Sequence, residues 1–366
     1  MNKPRILVAI GTRPEAIKMA PVIAEIRRDG WAEVTVLATA QHRNLMDQVL
    51  EHFQIVPDID LDLMTSGQTL AELTGRLVAG VDKYLIELDP DAVLVQGDTT
   101  TVFSVALASF YRHVPVGHVE AGLRTGDFLN PFPEEANRVL TSKLVKWHFA
   151  PTESSRQNLV DEGYNDSDIF VTGNTVIDAL LDTHTKAPSN NGRDSDARSV
   201  LVTCHRRENF GEPLAGILQA LKRLAVDFPD VHFIFPVHPN PNVLGPVNEA
   251  LGSIRNFKLV EPLEYPAFVE AMAQASFIIS DSGGVQEEAP ALGKPVLVLR
   301  EETERPEAVS AGVVKLVGVD PEVIYLEAHK LLTDSDYFQS MAKGVSPYGD
   351  GLAGKRINSI LKKALT

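Results

Sequence analysis

Short apolar runs rich in valine and isoleucine alternate along the chain with amphipathic stretches long enough to form helices. Strands of a parallel sheet are covered by crossover helices on both faces, so they read as continuous apolar runs. The pattern therefore predicts an α/β protein. The predicted strands are Arg5–Ile10, Glu33–Ala38, Ala92–Gln96 and Pro115–His118 in the first half, and Ser199–Thr203, His232–Val237, Phe257–Val260, Phe277–Ser280, Pro295–Leu299 and Val313–Val317 in the second.

The same pattern divides the chain into two parts. Its 366 residues suffice for about two domains, and a short strand and turn at Phe170–Asn174 separate the two series of strands. Each series opens with an apolar strand, a polar loop and a helix; the loops read GTRPE and CHRREN. We therefore predict two similar open sheets that face each other across a cleft, and a final helix within Gly351–Leu365.

Composition narrows the functional classes. With 44% hydrophobic and 23% charged residues and a mean hydropathy of −0.03, the chain is expected to be globular and not to span a membrane. A formal net charge of −15 argues against nucleic acid and against an anionic membrane surface as partners. Cys204 is the single cysteine, which excludes an intramolecular disulfide, and the apolar stretch after Arg5 is too short for a signal peptide. We expect a cytoplasmic protein.

The first candidate site follows the first strand in the segment GTRPEAIK. Gly11 permits a tight turn, Pro14 suits the first helical position, and Arg13 and Lys18 place two cations at a helix N-terminus. These are the ingredients of an anion site, although a plain helix start with solvated cations has the same spacing. The segment is neither a Walker loop nor a G-x-G-x-x-G fingerprint, which argues against an ATPase and a nicotinamide-dependent dehydrogenase.

Carboxylates follow the next strands. Asp98 comes just after Ala92–Gln96, and Glu120 lies at the end of the following strand; if the two strands are adjacent, both carboxylates lie on one rim and can act as base and acid. Asp98 could instead be only a helix N-cap. Glu134 and Glu135 begin a helical pattern, where acidic residues often only complement the helix dipole. A metal site is rejected because His118 and Glu120 lack further ligands.

The second half ends its strands in cationic and glycine-rich loops. His205 and Arg206 follow one strand and His238 another, with solvated loop residues as the simpler interpretation. In SDSGGVQEEAP, two glycines allow close approach and a helix start directs free amides at an anion such as pyrophosphate. Glu288, about one turn on, can accept hydrogen bonds from a ribose diol, and Arg305 is a further contact. This segment predicts a nucleotide-diphosphate site.

The motifs GTRPEAIKMAP, QHRNLMDQVL, QGDTTT, GHVEAGLRTGD, PFPEEANR, TGNTVIDAL, CHRRENFG, SDSGGVQEEAP and ERPEAV resemble those of the bacterial non-hydrolysing UDP-N-acetylglucosamine 2-epimerases, over about Arg5 to Arg356. The resemblance implies a glycosyltransferase-B-like fold of two Rossmann-type, doubly wound parallel-sheet domains with the active site in the cleft between them. It implies domains at residues 1–172, joined by the C-terminal helix at about 351–366, and at residues 173–350. It also implies a homodimer.

The resemblance further implies reversible interconversion of UDP-GlcNAc and UDP-ManNAc through loss of the C2 proton, departure of UDP and a 2-acetamidoglucal intermediate, with no cofactor and no metal. The product would supply ManNAc for cell-surface polysaccharide. By motif match the catalytic residues are Asp98, Glu120, Glu134 and His205. The implied UDP-sugar contacts are Arg13, Lys18, Phe268, Ser282, Gly283, Gly284, Glu288 and Arg305.

Many members of this family hold a second UDP-GlcNAc as an activator. The residues in the corresponding motifs are Gln41, His42, Gln68, Glu135, Arg206 and His238, so we predict allosteric activation. Gln96 and Cys204 replace a histidine and a glycine that are frequent in relatives. A cysteine at position 204 would make its loop sensitive to thiol reagents.

Other functions fit parts of the pattern. A glycosyltransferase shares the fold and the UDP site but needs an acceptor groove, and no apolar or basic stretch suggests one. A hydrolysing epimerase would release free ManNAc, and an epimerase for a diacetamido uronic acid should carry additional basic residues. A UDP-sugar-binding regulator without activity would not need the carboxylates.

Overall fold

The computed structural model describes residues 3–39, 43–63, 65, 67–186 and 198–366. The chain forms two compact units. The first unit comprises Met1–Ala179 together with Tyr348–Thr366, and the second comprises Leu180–Pro347. The division falls inside a helix, a few residues beyond the predicted boundary between residues 172 and 173.

Each unit is built on one parallel sheet. The first unit contains β1 Arg5–Ile10, β2 Glu33–Ala38, β3 Ile59–Asp60, β4 Ala92–Gln96, β5 Val116–Val119, β6 Trp147–Ala150 and β7 Ile169–Val171, in the spatial order β3-β2-β1-β4-β5-β6-β7. The second unit contains β8 Ser199–Thr203, β9 His232–Pro236, β10 Phe257–Val260, β11 Phe277–Ser280, β12 Val296–Val298 and β13 Val314–Leu316, in the order β10-β9-β8-β11-β12-β13. Strand order reverses between β1 and β4 and between β8 and β11, and ligands of open α/β sheets bind at such points.

The helices cover these sheets. They are α1 Arg13–Asp29, α2 Arg43–His52, α3 Leu70–Leu88, α4 Thr100–Tyr111, α5 Glu134–Leu144, α6 Glu153–Asp161, α7 Thr175–Lys186, α8 Glu212–Asp227, α9 Pro241–Leu251, α10 Tyr265–Gln274, α11 Gly283–Glu288, α12 Pro306–Ser310, α13 Pro321–Thr333, α14 Ser335–Met341 and α15 Ala353–Leu365. Among the residues described above, no helix is both long enough and apolar enough to span a bilayer.

The predicted strands are confirmed, with small shifts at their ends. Those predicted to start at Pro115 and Pro295 begin one residue later, at Val116 and Val296. The reason is that proline has no N–H to donate to the ladder, although the Pro115 carbonyl still accepts from Val93. The two-residue β3 and the strand β6 were not predicted.

Helix α15 returns to the first unit and packs on α1. Trp31 Nε1 donates to Asn358 Oδ1 at 2.7 Å. At its N-terminus, the Asp178 carboxylate accepts from the backbone N–H groups of Ala353 and Gly354, at 3.2 and 2.8 Å. Gly354 approaches α1 so closely that a Cβ atom there would lie 3.0 Å from the carbonyl oxygen of Pro21. These contacts join α15 to the sheet unit that holds β1 and β4.

Candidate functional site

The candidate residues of the first unit follow β1, β4 and β5 at their carboxyl ends. Helix α1 starts at Arg13 directly after β1, with Thr12 as its N-cap. Gly11 is required between them because a Cβ atom at this position would collide with the side chain of Thr101. Arg13 and Lys18 therefore lie on the first two turns of a helix that begins at the reversal point of the sheet.

Lys18 and Glu120 form a nearly buried ion pair. The Lys18 Nζ atom lies 2.5 Å from Glu120 Oε2, and the two side chains are 12% and 8% exposed. Gln96, the last residue of β4, donates to the same oxygen at 2.9 Å. Glu120 has a φ of 68°, a left-handed conformation that is uncommon for a residue with a side chain. Two donors on one oxygen stabilise the carboxylate form of this side chain.

The Asp98 side chain is bound by an arginine of helix α5. Arg138 on α5 contacts Asp98 Oδ2 through Nη2 at 2.7 Å and through Nε at 3.0 Å. The N-cap of α4 is Thr99, whose hydroxyl accepts from Val102 N–H, so Asp98 is not the cap. Strands β4 and β5 are adjacent, with Gln96 opposite Val119, which places Asp98 and Glu120 after neighbouring strands.

Glu134 and Glu135 begin α5 but have different surroundings. Glu135 is buried, and Oε1 accepts from the N–H groups of Thr125 and Gly126 at 3.1 and 3.2 Å. Its other oxygen accepts from Arg138 at 2.9 Å, so Arg138 links Glu135 to the carboxylate of Asp98. Glu134 is half-buried, and among the described residues no hydrogen bond or ion pair holds its carboxylate.

Sequence reasoning missed Glu15. This buried side chain accepts from Gly11 N–H at 2.6 Å and from the hydroxyls of Thr12 and Thr99 at 3.1 and 2.8 Å. It thereby ties the loop after β1 to the loop that carries Asp98. Burial raises the pKa of Glu15 to about 7, against the effect of these hydrogen bonds, and the nearby Asp98 charge adds to the rise. The spacing T-x-x-E from Thr12 to Glu15, typical of a capping box, was the available signal.

His118 is a structural residue of β5. Its Nε2 atom lies 2.7 Å from the carbonyl oxygen of Gly97, in the turn that precedes Asp98. Burial lowers the pKa of His118 to about 4, so the ring is neutral at pH 7 and its Nε2–H donates to that carbonyl. Within the described ranges, His118 belongs to no group of three or more potential metal ligands.

In the second unit, a buried aspartate organises the loop after β8. Asp281, directly after β11, has no exposed surface, and Oδ2 accepts from the backbone N–H groups of His205 and Arg206 at 2.9 and 2.8 Å. Asn209 Nδ2 donates to the same oxygen at 3.0 Å. His205 Nδ1 lies 3.1 Å from Oδ1, while the His205 side chain is 45% exposed. Asp281 stood within a predicted motif, but no role was assigned to it.

The glycine-rich loop after β11 holds the predicted pyrophosphate residues together. Ser282 precedes α11, which begins at Gly283 and Gly284. The Arg305 guanidinium lies against this turn: a Cβ atom at Gly283 would be 2.9 Å from its Cζ. Glu287 binds Arg305 Nε at 2.7 Å and fixes the guanidinium there. A cation and the free amides of a helix start are thus placed side by side.

Glu288 and Phe268 complete the predicted nucleotide residues. Glu288 is 6% exposed, and its Oε1 accepts from the Tyr265 hydroxyl at 2.9 Å. Phe268 is half-buried on the same helix as Tyr265, α10. The structure therefore connects the carboxylate predicted for the ribose to the helix predicted to cover the base.

The predicted activator residues lie in both units. Gln68 binds Arg76 and borders a pocket of about 600 Å³. The rings of His205 and His238 stack with centroids 6.3 Å apart, and Arg206 Nη1 is 3.4 Å from Glu208. Gln41 and His42 lie outside the described residues.

The expectation that Cys204 makes its loop sensitive to thiol reagents was wrong. Cys204 is 2% exposed and packs in the core of the second unit. Burial raises the pKa of its thiol strongly, and the neighbouring Asp281 carboxylate raises it further. Because the thiolate is the reactive form, this cysteine is inert in the folded chain.

Comparison with known proteins assigns the chain to a family. The sequence model of the family described as UDP-N-acetylglucosamine 2-epimerase matches residues 24–362. The chain belongs to this family. The UDP-N-acetylglucosamine 2-epimerase of Escherichia coli strain K12 is 52% identical over 369 aligned residues that cover 98% of both chains. The predicted enzyme class, an epimerase and hence an isomerase, is confirmed.

Solved structures of this epimerase family have the same fold. The enzyme from Neisseria meningitidis, bound to UDP-GlcNAc, is 47% identical with a TM-score of 0.91, over 98% of this chain and 100% of that one. The enzyme from Methanocaldococcus jannaschii, in complex with UDP-GlcNAc and UDP, is 34% identical with a TM-score of 0.82, over 98% and 99%. The glycotransferase of kitacinnamycin, 11% identical with a TM-score of 0.69 over the whole of both chains, shares the fold alone. The predicted glycosyltransferase-B-like fold class is confirmed.

Proposed function

We propose that the chain interconverts UDP-GlcNAc and UDP-ManNAc by eliminating and re-adding UDP. One observation carries this proposal: relatives that align with 98% of the chain are UDP-N-acetylglucosamine 2-epimerases, and one of them was crystallised with UDP-GlcNAc. The second unit supports it, because the cation Arg305 and the α11 amides are held next to each other, as a pyrophosphate requires.

The proposed reaction has two halves. A carboxylate removes the C2 proton while the C1–O bond breaks, and the electron pair of that bond goes to the phosphate oxygen of UDP. The C–H electron pair forms the C1–C2 double bond of 2-acetamidoglucal. In the second half, C2 receives a proton on the opposite face and the phosphate oxygen attacks C1. The sequence is redox-neutral, so it consumes no nicotinamide cofactor.

The proposed proton-transfer groups are the carboxylates of Asp98, Glu120 and Glu134. Lys18 and Gln96 hold Glu120, and Arg138 holds Asp98, so both carboxylates are oriented by donors. Glu134 has no such partner in the described part of the chain. The three carboxylates thus have different surroundings, as a reaction that needs both a base and an acid requires.

The proposed role of His205 is to support UDP as it departs. The proposed nucleotide contacts are Arg13, Lys18, Phe268, Ser282, Gly283, Gly284, Glu288 and Arg305. The developing negative charge on the pyrophosphate is where preorganised donors lower a barrier most.

We also propose activation by a second UDP-GlcNAc that contacts Gln41, His42, Gln68, Glu135, Arg206 and His238. Pure UDP-ManNAc should then be consumed slowly until a trace of UDP-GlcNAc is added. If the rate with pure UDP-ManNAc depends hyperbolically on substrate concentration and does not respond to added UDP-GlcNAc, the proposed activation is overturned.

We further propose that the chain forms a homodimer and supplies ManNAc for cell-surface polysaccharide. Light scattering should give twice the chain mass of 39.9 kDa.

The deciding experiment is proton NMR of UDP-GlcNAc incubated with the purified chain in D2O. Appearance of the manno anomeric signal together with loss of the C2 proton signal supports the proposal. Free ManNAc and UDP would instead indicate a hydrolysing epimerase. Absence of exchange with both UDP-sugars present would indicate an acceptor-dependent transferase or a regulator that only binds.

A further inference from the structure

Asp281 connects the loop that carries His205 to the strand beside it. Its Oδ2 atom is fully used by three N–H donors, from the backbone of His205 and Arg206 and from the side chain of Asn209. The carboxylate has no exposed surface. Its position is therefore fixed independently of the imidazole ring.

The second oxygen, Oδ1, faces the ring. His205 Nδ1 lies 3.1 Å from it but outside hydrogen-bond geometry, and no nitrogen or oxygen donor in the described ranges forms a hydrogen bond with this oxygen. The thiol of Cys204 also faces the carboxylate, but a thiol is a weak donor. A buried carboxylate oxygen without a donor is costly. The ring proton is therefore favoured on Nδ1, the ring nitrogen that faces Oδ1.

The charge state of Asp281 is consistent with this arrangement. Burial alone would raise its pKa, but the neighbouring His205 ring and the backbone N–H groups of Arg206 and His205 outweigh burial and hold the pKa at about 2. The carboxylate is ionised at neutral pH and is a strong acceptor.

We propose that Asp281 is a positioning residue that keeps the proton of His205 on Nδ1 and so turns Nε2 toward the ligand. This inference rests on the proposed function, in which His205 supports the departure of UDP. In the neutral ring Nε2 is an acceptor. In the protonated ring Nε2–H donates to the phosphate oxygen that receives the electron pair of the broken C1–O bond. Because the Asp281 side chain has no exposed surface, it would act through His205 and not on the ligand directly.

The neighbouring His238 provides an internal reference. Its ring stacks on that of His205 with an angle of 22° between the planes. Its Nδ1 atom accepts from the backbone N–H of Asn240 at 3.2 Å, so its neutral ring carries the proton on Nε2. The two stacked rings are therefore expected to be opposite tautomers, and only His205 should respond to a change at Asp281.

The direct test is long-range 1H–15N NMR of the full chain with ring-labelled histidine, at about pH 9, where ordinary imidazoles are neutral. The chain has ten histidines, and His205→Gln identifies the His205 signals by their loss. We expect protonated Nδ1 for His205 and protonated Nε2 for His238. A wild-type His205 protonated on Nε2 overturns the proposal without any variant at Asp281.

Asp281→Asn tests the cause. The amide oxygen can replace Oδ2 toward the three N–H donors, which leaves its NH2 group against His205 and should move the ring proton to Nε2. Asn209→Ala is the matched control, because it removes a donor to the same carboxylate but leaves Oδ1 and His205 Nδ1 in place. His205 that keeps its proton on Nδ1 in Asp281→Asn, or loses it equally in Asn209→Ala, contradicts the proposal.

Kinetics separate positioning from general stability. Asp281→Asn should lower kcat about 10- to 100-fold with a smaller change in KM. In a His205→Gln background, Asp281→Asn should lower kcat by less than about twofold, because Asp281 acts only by positioning the His205 ring. An undiminished loss in that background overturns the proposal. If the tautomers are as expected but the chain does not exchange the C2 proton, the proposed function fails while the positioning role stands.

Discussion

The ammonium nitrogen of Lys18 lies 2.5 Å from Glu120 Oε2, so a helix residue and a strand-end residue 102 positions apart share one nearly buried ion pair. Gln96 donates to the same oxygen. A buried charge that loses its partner keeps its desolvation cost. Each residue of the pair therefore depends on the other for stability as well as for any role in catalysis.

Lys18→Met should lower the free energy of unfolding of the first unit by about 3 kcal/mol. The double variant Lys18→Met/Glu120→Gln should lose less unfolding free energy than the two single variants lose in sum. The difference, the coupling energy, should be about 1–3 kcal/mol. Both tryptophans, Trp31 and Trp147, belong to the first unit, so their fluorescence in urea follows its unfolding.

The matched control for this cycle is Lys83→Met. Lys83 pairs with Glu87 at 3.8 Å on the surface, where the two side chains are 66% and 52% exposed. Such a pair contributes less than about 1 kcal/mol. Additive effects of Lys18→Met and Glu120→Gln would show that the ion pair does not couple them.

Amide substitutions should separate chemistry from nucleotide binding. Asp98→Asn, Glu120→Gln and Glu134→Gln should each slow deuterium incorporation at C2 by about 100-fold or more, because an amide cannot exchange a proton. UDP affinity, measured by calorimetry, should change by less than about threefold. Glu153→Gln, on an exposed helix start, should leave exchange unchanged. Wild-type exchange in all three variants would remove the carboxylate assignment.

Two adjacent glycines should respond differently to a methyl group. At Gly283 a Cβ atom would lie 2.9 Å from the Arg305 guanidinium, whereas at Gly284 the nearest atom would be 3.7 Å away. Gly283→Ala should therefore displace Arg305 and weaken UDP binding about tenfold or more, by about 1.4 kcal/mol. Gly284→Ala retains its backbone N–H and should weaken binding less. Equal losses would mean that Arg305 is not what the methyl group disturbs.

Glu15 should make the first unit less stable as the pH rises. Its pKa is about 7 when folded and ordinarily 4.5, so the folded chain keeps a proton that the unfolded chain has lost. The stabilisation from this proton is complete below pH 4.5 and is lost as the pH rises toward 7.

Glu15→Gln removes this titration. The unfolding free energy of Glu15→Gln minus that of the wild type should increase by about 2 kcal/mol between pH 5 and pH 8. Urea unfolding at the two pH values measures the change. A difference that is constant with pH would show that Glu15 titrates normally in the folded chain.

The sheets were predictable because their strands are buried on both faces. Six of the predicted strands have the predicted bounds, among them Arg5–Ile10 and Phe277–Ser280. Strand β6 escaped prediction because its sequence WHFA has two aromatic residues and a histidine and lacks valine and isoleucine. Burial of His148 within it is set by the neighbouring strands. No local pattern carries that information.

Site residues could be predicted from the sequence where their chemical type alone suggested a role. They were missed where the role depends on a hydrogen-bond partner elsewhere in the chain. Polar residues after apolar strands marked Asp98, Glu120 and His205. The role of Asp281 depends on a loop 76 positions away, and Glu135 holds a loop 9 or 10 positions away. Such roles arise from which strand ends and loops become neighbours, which the sequence alone does not specify.

The docking of α15 on α1 sets an order of events during synthesis. The first unit is completed by residues 348–366, which leave the ribosome only after the whole of the second unit. Until then Trp31 lacks Asn358 and Asp178 lacks its backbone donors. The second unit is thus the first that can finish folding during translation, although its residues come later than most of the first unit's. A nascent chain stalled before residue 353 would carry an incomplete N-terminal sheet unit and a finished C-terminal one.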